Sequence, residues 1–143
     1  MRLYRAGYLF VLAFGIVSCH DHRAFDSAVN QAESAVVDHR DIIASAKSIG
    51  AARDELDRHA AEIDADVRHI RSHLSDVDHC DQDDLDRVWD EVGVVEDRVS
   101  VYLLDAGATT EMAALRAVCD RYAADMDRLL GEVRDRLDDA SCW

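Results

Sequence analysis

Seven histidines and four cysteines in a 143-residue chain are the residues with chemistry to offer, and their spacing decides which chemistry. His69 and His73 stand four apart, so on a helix both rings leave from one side and can chelate zinc, copper or nickel. Between them lie Ile70, Arg71 and Ser72, so the pair lacks the glutamate of the His-Glu-x-x-His metalloprotease motif. A solvated helix face is the simpler reading of that pair. No Cys-x-x-Cys or Cys-x-x-Cys-His is present, which removes thioredoxin-like and c-type haem chemistry. Gly-x-Ser-x-Gly, glycine-rich phosphate loops, EF-hand loops and paired catalytic carboxylates are missing too. The sequence therefore gives no ground for an enzyme. His39 and His59 are the remaining candidates, and their meaning depends on the elements that carry them.

Those elements are helices. Apolar residues recur at alternating steps of three and four in four segments. They run from Phe25 to Ala46, from Leu56 to Val77, from Leu85 to Tyr102 and from Cys119 to Leu137. A 3-4 repeat puts each set on one stripe, as a bundle seam requires. The chain has no proline, so ring chemistry breaks none of them. Breaks are expected at the polar run Asp78–Asp83, with Asp83 as N-cap, and at Gly107, with Thr109 and Thr110 as the stop and cap that follow. The first break lies between Ala44 and Gly50 and carries no strong signal.

The two halves align without a gap at an offset of 63 residues. Asp57–Leu74 lies over Asp120–Leu137 with seven of eighteen positions identical, including a shared Asp-Arg-x-Ala-Ala run. The expected fold is all-α: an antiparallel four-helix bundle of two duplicated αα-hairpins, about 22–78 and 83–139, preceded by an N-terminal signal helix. Duplication also places the first turn near Ser45, under Gly107–Thr110, rather than at Gly50.

On this scaffold His39 is a seam residue whose counterpart is Tyr102, and His59 flanks a seam with Tyr122 as its counterpart. Imidazole and phenolate both bind transition metals, and bundles build such sites from inward side chains on facing helices. A turn at Gly50 sets His39 and His59 level. One at Ser45 offsets them by roughly six residues, or about 9 Å. Buried, hydrogen-bonded histidines are therefore expected. A transition-metal site for an ion such as zinc or copper, using His39 and His59 or the surface pair His69 and His73, is the alternative.

Cys119 lies on a seam and reads as a small core hydrophobe. Cys80 ends the first hairpin and Cys142 the second, so an up-down bundle brings both to one end, where a Cys80–Cys142 disulfide is expected. His20, His22 and His79 belong to the same end, where they can form a loose metal trap without a specific spacing.

The net charge of −14 disfavours phosphate backbones and anionic headgroups, so no nucleic-acid partner is expected. At the N-terminus, Arg2 and Arg5 precede an apolar run from Ala6 to Val17, then Ser18 and Cys19, the order of a secretory signal. About twelve apolar residues cover roughly 18 Å, too little for a bilayer core of about 30 Å. Ile16-Val17-Ser18-Cys19 resembles the lipobox of bacterial lipoproteins. The resemblance implies a signal peptide over 1–18, cleavage before Cys19, lipid on its thiol and a mature bundle over 19–143. It also implies a place in the cell envelope. His20, not aspartate, follows the cysteine, which favours the outer membrane facing the periplasm. The expected role is structural or interactive: a membrane partner through lipid on Cys19, an unidentified envelope protein, no cofactor, and a homo-oligomer as a further arrangement the seams allow.

Overall fold

The computed structural model describes residues 18–142, with side chains from residue 22. The signal segment 1–17 and the side chain of the lipidation candidate Cys19 lie outside the described residues. Four helices follow in order: α1 (Ser18–Ser45), α2 (Ile49–Ser75), α3 (Gln82–Ala108) and α4 (Met112–Asp138). Each packs on the next and α4 closes on α1, so α1 faces α3, and α2 faces α4, across the diagonals. This is the antiparallel four-helix bundle that the 3-4 pattern requires. The apolar stripes form one core, from Phe25, Ile70, Leu74 and Leu137 near the chain ends to Ile43, Ala52, Ala106 and Leu115 near the far turns.

The duplication holds in the helix limits. α1 and α3 end at Ser45 and Ala108, α2 and α4 begin at Ile49 and Met112, and α2 and α4 end at Ser75 and Asp138. Each pair differs by 63, the offset of the sequence repeat.

The helix ends differ in detail from the sequence reading. The first turn is Ala46–Ser48, just beyond the expected Ser45, which is the last residue of α1. Ser45 Oγ donates to the Ile42 carbonyl inside that last turn, while Ser48 Oγ accepts from the Ala51 N–H and so caps α2. Gly50 lies within the first turn of α2. Asp81, not Asp83, caps α3: its extended backbone lets the carboxylate accept from the Asp83 N–H at 2.9 Å. Helix α3 starts early because residue 80 is already fixed, Cys80 pairing as an antiparallel bridge with Cys142. At the second far turn the Thr109 hydroxyl bonds back to the Asp105 carbonyl. Glu111, not Thr110, occupies the N-cap of α4 and makes no side-chain cap bond. The missing cap is offset by packing, since Leu115 one turn on is buried.

Charged residues stitch the outside. Arg71 pairs with Glu96 between α2 and α3, Arg98 with Asp125 between α3 and α4, and Arg134 with Glu33 and Asn30 between α4 and α1. Such half-exposed pairs each contribute little, about 0–1 kcal/mol, and mainly favour this helix order. Arg116 reaches from α4 to the Ala46 carbonyl at 3.0 Å and satisfies a backbone acceptor that the end of α1 leaves open.

Candidate functional site: a buried histidine–tyrosine layer

A bundle core of this size is normally apolar, so the fully buried His39, His59, Tyr102 and Tyr122 stand out. One comes from each helix, and the four meet on the bundle axis. His39 Nε2 lies 2.6 Å from the Tyr102 hydroxyl across one diagonal, and His59 Nε2 lies 2.9 Å from the Tyr122 hydroxyl across the other. The imidazoles stack with centroids 3.9 Å apart and planes 10° off parallel, and the two phenols stack at 3.9 Å and 8°. Each histidine meets its own tyrosine edge-on, both times at 5.6 Å and 78°. The layer thus repeats its geometry under a pseudo-twofold axis that exchanges the hairpins.

Helix direction explains how His39 and His59 become level. His39 lies eight residues before Lys47, the middle of the first turn, and His59 twelve after it, a difference of about 6 Å along the axis. Side chains of a helix tilt toward its N-terminus. In α1 that direction leads away from the far turn and in α2 it leads toward it, so the two rings lean into one plane. Tyr102 and Tyr122 flank Thr110 by the same intervals and close the gap in the same way.

Glu55 completes one side of the layer. Its carboxylate is buried and takes the His39 Nδ1 hydrogen at 2.8 Å, while Arg58 holds it from the solvent side with two bonds of 2.7 Å. A carboxylate can only accept, so His39 carries its proton on Nδ1, and Nε2 accepts the Tyr102 O–H. The result is a continuous chain, Arg58–Glu55–His39–Tyr102, running from the surface into the core. Among the described residues no acid supports His59 in this way, and its Nδ1 is buried without a partner; the counterpart of Glu55 in the second half is Val118.

Burial sets the ionisation states. It lowers His39, outweighing the opposing pull of Glu55, and takes His59 down to about 3, with His39 adding to the effect. Burial works against the Glu55 carboxylate, but the hydrogen bonds from Arg58 and His39 overcome it and keep Glu55 ionised below its usual range. Both tyrosines and Cys119 are raised by burial. At neutral pH the layer therefore holds two neutral imidazoles and two phenols, with one compensated ion pair at its edge.

This geometry suits hydrogen bonding rather than metal ligation. A nitrogen lone pair lies in its ring plane, and stacked parallel rings send their lone pairs side by side instead of converging on one ion. Both Nε2 atoms are also engaged by tyrosine hydroxyls. The other histidines are elsewhere: His69 is exposed and His73 half-exposed on the outer face of α2. His79 forms the bend before Cys80 with a left-handed backbone, φ 62°. Cys80 and Cys142 are joined by a disulfide, and Cys119 is a buried free thiol. Glu55 escaped the sequence reading, as did Asp66, a second buried acid. Their signal was present in the duplication, where the matching positions are apolar, Val118 and Leu129.

No protein-family model, no curated protein and no solved structure matches this chain.

Proposed function

We propose that the chain is an envelope lipoprotein, anchored through Cys19, whose bundle serves as a rigid structural or interaction module. The observation that carries this reading is the Cys80–Cys142 disulfide at the end where α1 begins, with His22 of α1 4.0 Å from Cys142 Sγ. Disulfides persist in oxidising compartments, which agrees with export directed by the signal-like residues before Cys19. Among the described residues no helix is long and apolar enough to cross a membrane; the attachment proposed is a lipid on Cys19. Several chains on one cysteine hold firmly where a single chain does not.

The histidine–tyrosine layer fits a structural role. The two buried histidine–tyrosine hydrogen bonds form at this register and break at any other, because each slip leaves both imidazoles and both hydroxyls unpaired. The partner-facing region is the far end. There Ile42, Val101 and Leu104 are exposed in the last turns of α1 and α3, Leu104 by 74%. The test is metabolic labelling with a fatty-acid analogue followed by membrane fractionation. Label and membrane association lost together in Cys19→Ala support the anchor; an unlabelled, freely soluble native chain overturns it.

A further inference from the structure

The base of the bundle gathers three ligand-bearing side chains from three separate elements. His22 lies near the start of α1, Cys80 closes the α2–α3 link and Cys142 follows α4. His22 Nε2 points at Cys142 Sγ from 4.0 Å, and the ligand atoms of all three residues lie within 4.8 Å of one another. None of the three is buried, so the cluster is open to solutes. We propose that reduction of the Cys80–Cys142 disulfide turns this base into a Cys2His site for a thiophilic divalent cation of the zinc class.

While the S–S bond is intact neither sulfur is a thiolate, and thiolate is the form that binds metal. Opening it takes two electrons and two protons from a dithiol reductant by thiol–disulfide exchange. The S–S bond breaks, two thiols form, and the donor closes its own disulfide. Zinc(II) then replaces both thiol protons, which pass to solvent, and takes the His22 Nε2 lone pair as third ligand. A fourth position is left for water, as in open tetrahedral sites. Metal–sulfur and metal–nitrogen bonds of about 2.3 and 2.0 Å set sulfur and nitrogen roughly 3.6 Å apart in a tetrahedron. The present 4.0 Å needs a closure of a few tenths of an ångström, and once the S–S bond opens the two sulfurs must part to roughly 3.8 Å, both by side-chain rotation.

The backbone keeps the thiols adjacent after the bond opens. Residues 80 and 142 pair as an antiparallel bridge, the Asp81 N–H donates to the Ser141 carbonyl at 2.8 Å, and the Ser141 N–H donates to Asp84 Oδ2 at 3.0 Å. Asp81 and Asp84 also place negative charge beside the site and favour a cation there.

The test compares zinc binding by the full chain in detergent, oxidised or reduced by a phosphine, in a Cys19→Ser, Cys119→Ala background. Zinc is titrated in competition with a chromophoric chelator. The reduced protein is expected to take up one zinc and, with cobalt(II) as probe, to show thiolate-to-metal charge-transfer absorption. The oxidised protein is expected to bind at least about tenfold more weakly, and His22→Ala to cost the reduced protein a similar factor or more. Equal uptake in both redox states overturns the proposal and assigns zinc to surface histidines such as His69 and His73. Unchanged affinity in His22→Ala, no uptake by the reduced protein, or loss of its helical circular dichroism overturns it equally. Acylation of Cys19 plays no part in the readout, so the anchor and the metal site fail independently.

Discussion

His39 and Tyr102 are 63 positions apart in the chain and 2.6 Å apart in space. Because 63 is also the offset of the internal repeat, each is bonded to its own counterpart, as is His59 to Tyr122. Contact between equivalent positions occurs only near a twofold axis, so the two hydrogen bonds mark where the pseudo-axis passes through the core.

Tyr102→Phe removes the only donor to His39 Nε2 among the described residues and leaves a buried acceptor unpaired. Urea denaturation is expected to show a loss of about 1–3 kcal/mol. In a double-mutant cycle, His39→Phe combined with Tyr102→Phe should cost less than the sum of the single changes, since no polar atom of the pair remains. Strict additivity would mean that the bond contributes no coupling.

Asp66 gives a prediction of opposite sign. Its carboxylate is buried, Oδ2 has no partner, and burial raises its pKa. The equivalent residue, Leu129, is a buried core side chain. Asp66→Leu should stabilise the fold at pH 7 by about 1–3 kcal/mol. The gain should shrink in acid, where the native carboxyl is neutral. A Tm that falls at pH 7 would contradict an unpaired, destabilising carboxylate at this position.

Acid should loosen the bundle from the middle. His59 is held near 3 in the fold against about 6.5 in an unfolded chain. Between those values the unfolded state binds the extra proton, so stability rises with pH and is lost as pH falls below about 6.5. The full span corresponds to a cost on the order of 5 kcal/mol. His39, also lowered, adds in the same direction, and Glu55, held low in the fold, adds further loss as pH falls through its folded pKa. Melting curves from pH 7 to pH 4 should shift steadily downward, and His59→Phe should flatten much of that slope. A profile indifferent to His59→Phe would contradict the assigned neutral state.

Opening the Cys80–Cys142 bond releases a loop whose ends are 62 residues apart. The chain-entropy treatment sets its contribution at about 4 kcal/mol. A Cys80→Ser, Cys142→Ser variant should lose about that much in urea denaturation while keeping its helical circular dichroism, since Cys80 only packs against the edge of the core and Cys142 lies outside it. An unchanged midpoint would show that the bridge and the Asp81–Ser141 hydrogen bond already hold the base.

Much of the bundle was legible because one physical rule, burial of an apolar stripe, acts at every third or fourth residue from Phe25 to Leu137. The repeat then put Tyr102 over His39 and Tyr122 over His59. What escaped was geometry between helices. Counting residues from a turn locates Cα atoms, and on that count His39 and His59 miss each other; the opposed lean of their side chains brings the rings together. Caps were missed for a related reason. Asp81 and Asp83 are both competent caps of α3 by type, and the choice between them was made by a distant residue, Cys142, fixing Cys80 in place.

The self-equivalent contacts also bear on why a single chain carries both hairpins. Were the same bundle assembled from two identical hairpins, the position of His39 would have to face itself across the axis, imidazole to imidazole or phenol to phenol. Covalent linkage lifts that restriction and lets one copy specialise as proton donor and the other as acceptor. It likewise lets Glu55 support one imidazole while Val118 occupies the equivalent place in the second copy. The asymmetry of the core is thus a freedom available to a tandem chain and denied to a homodimer.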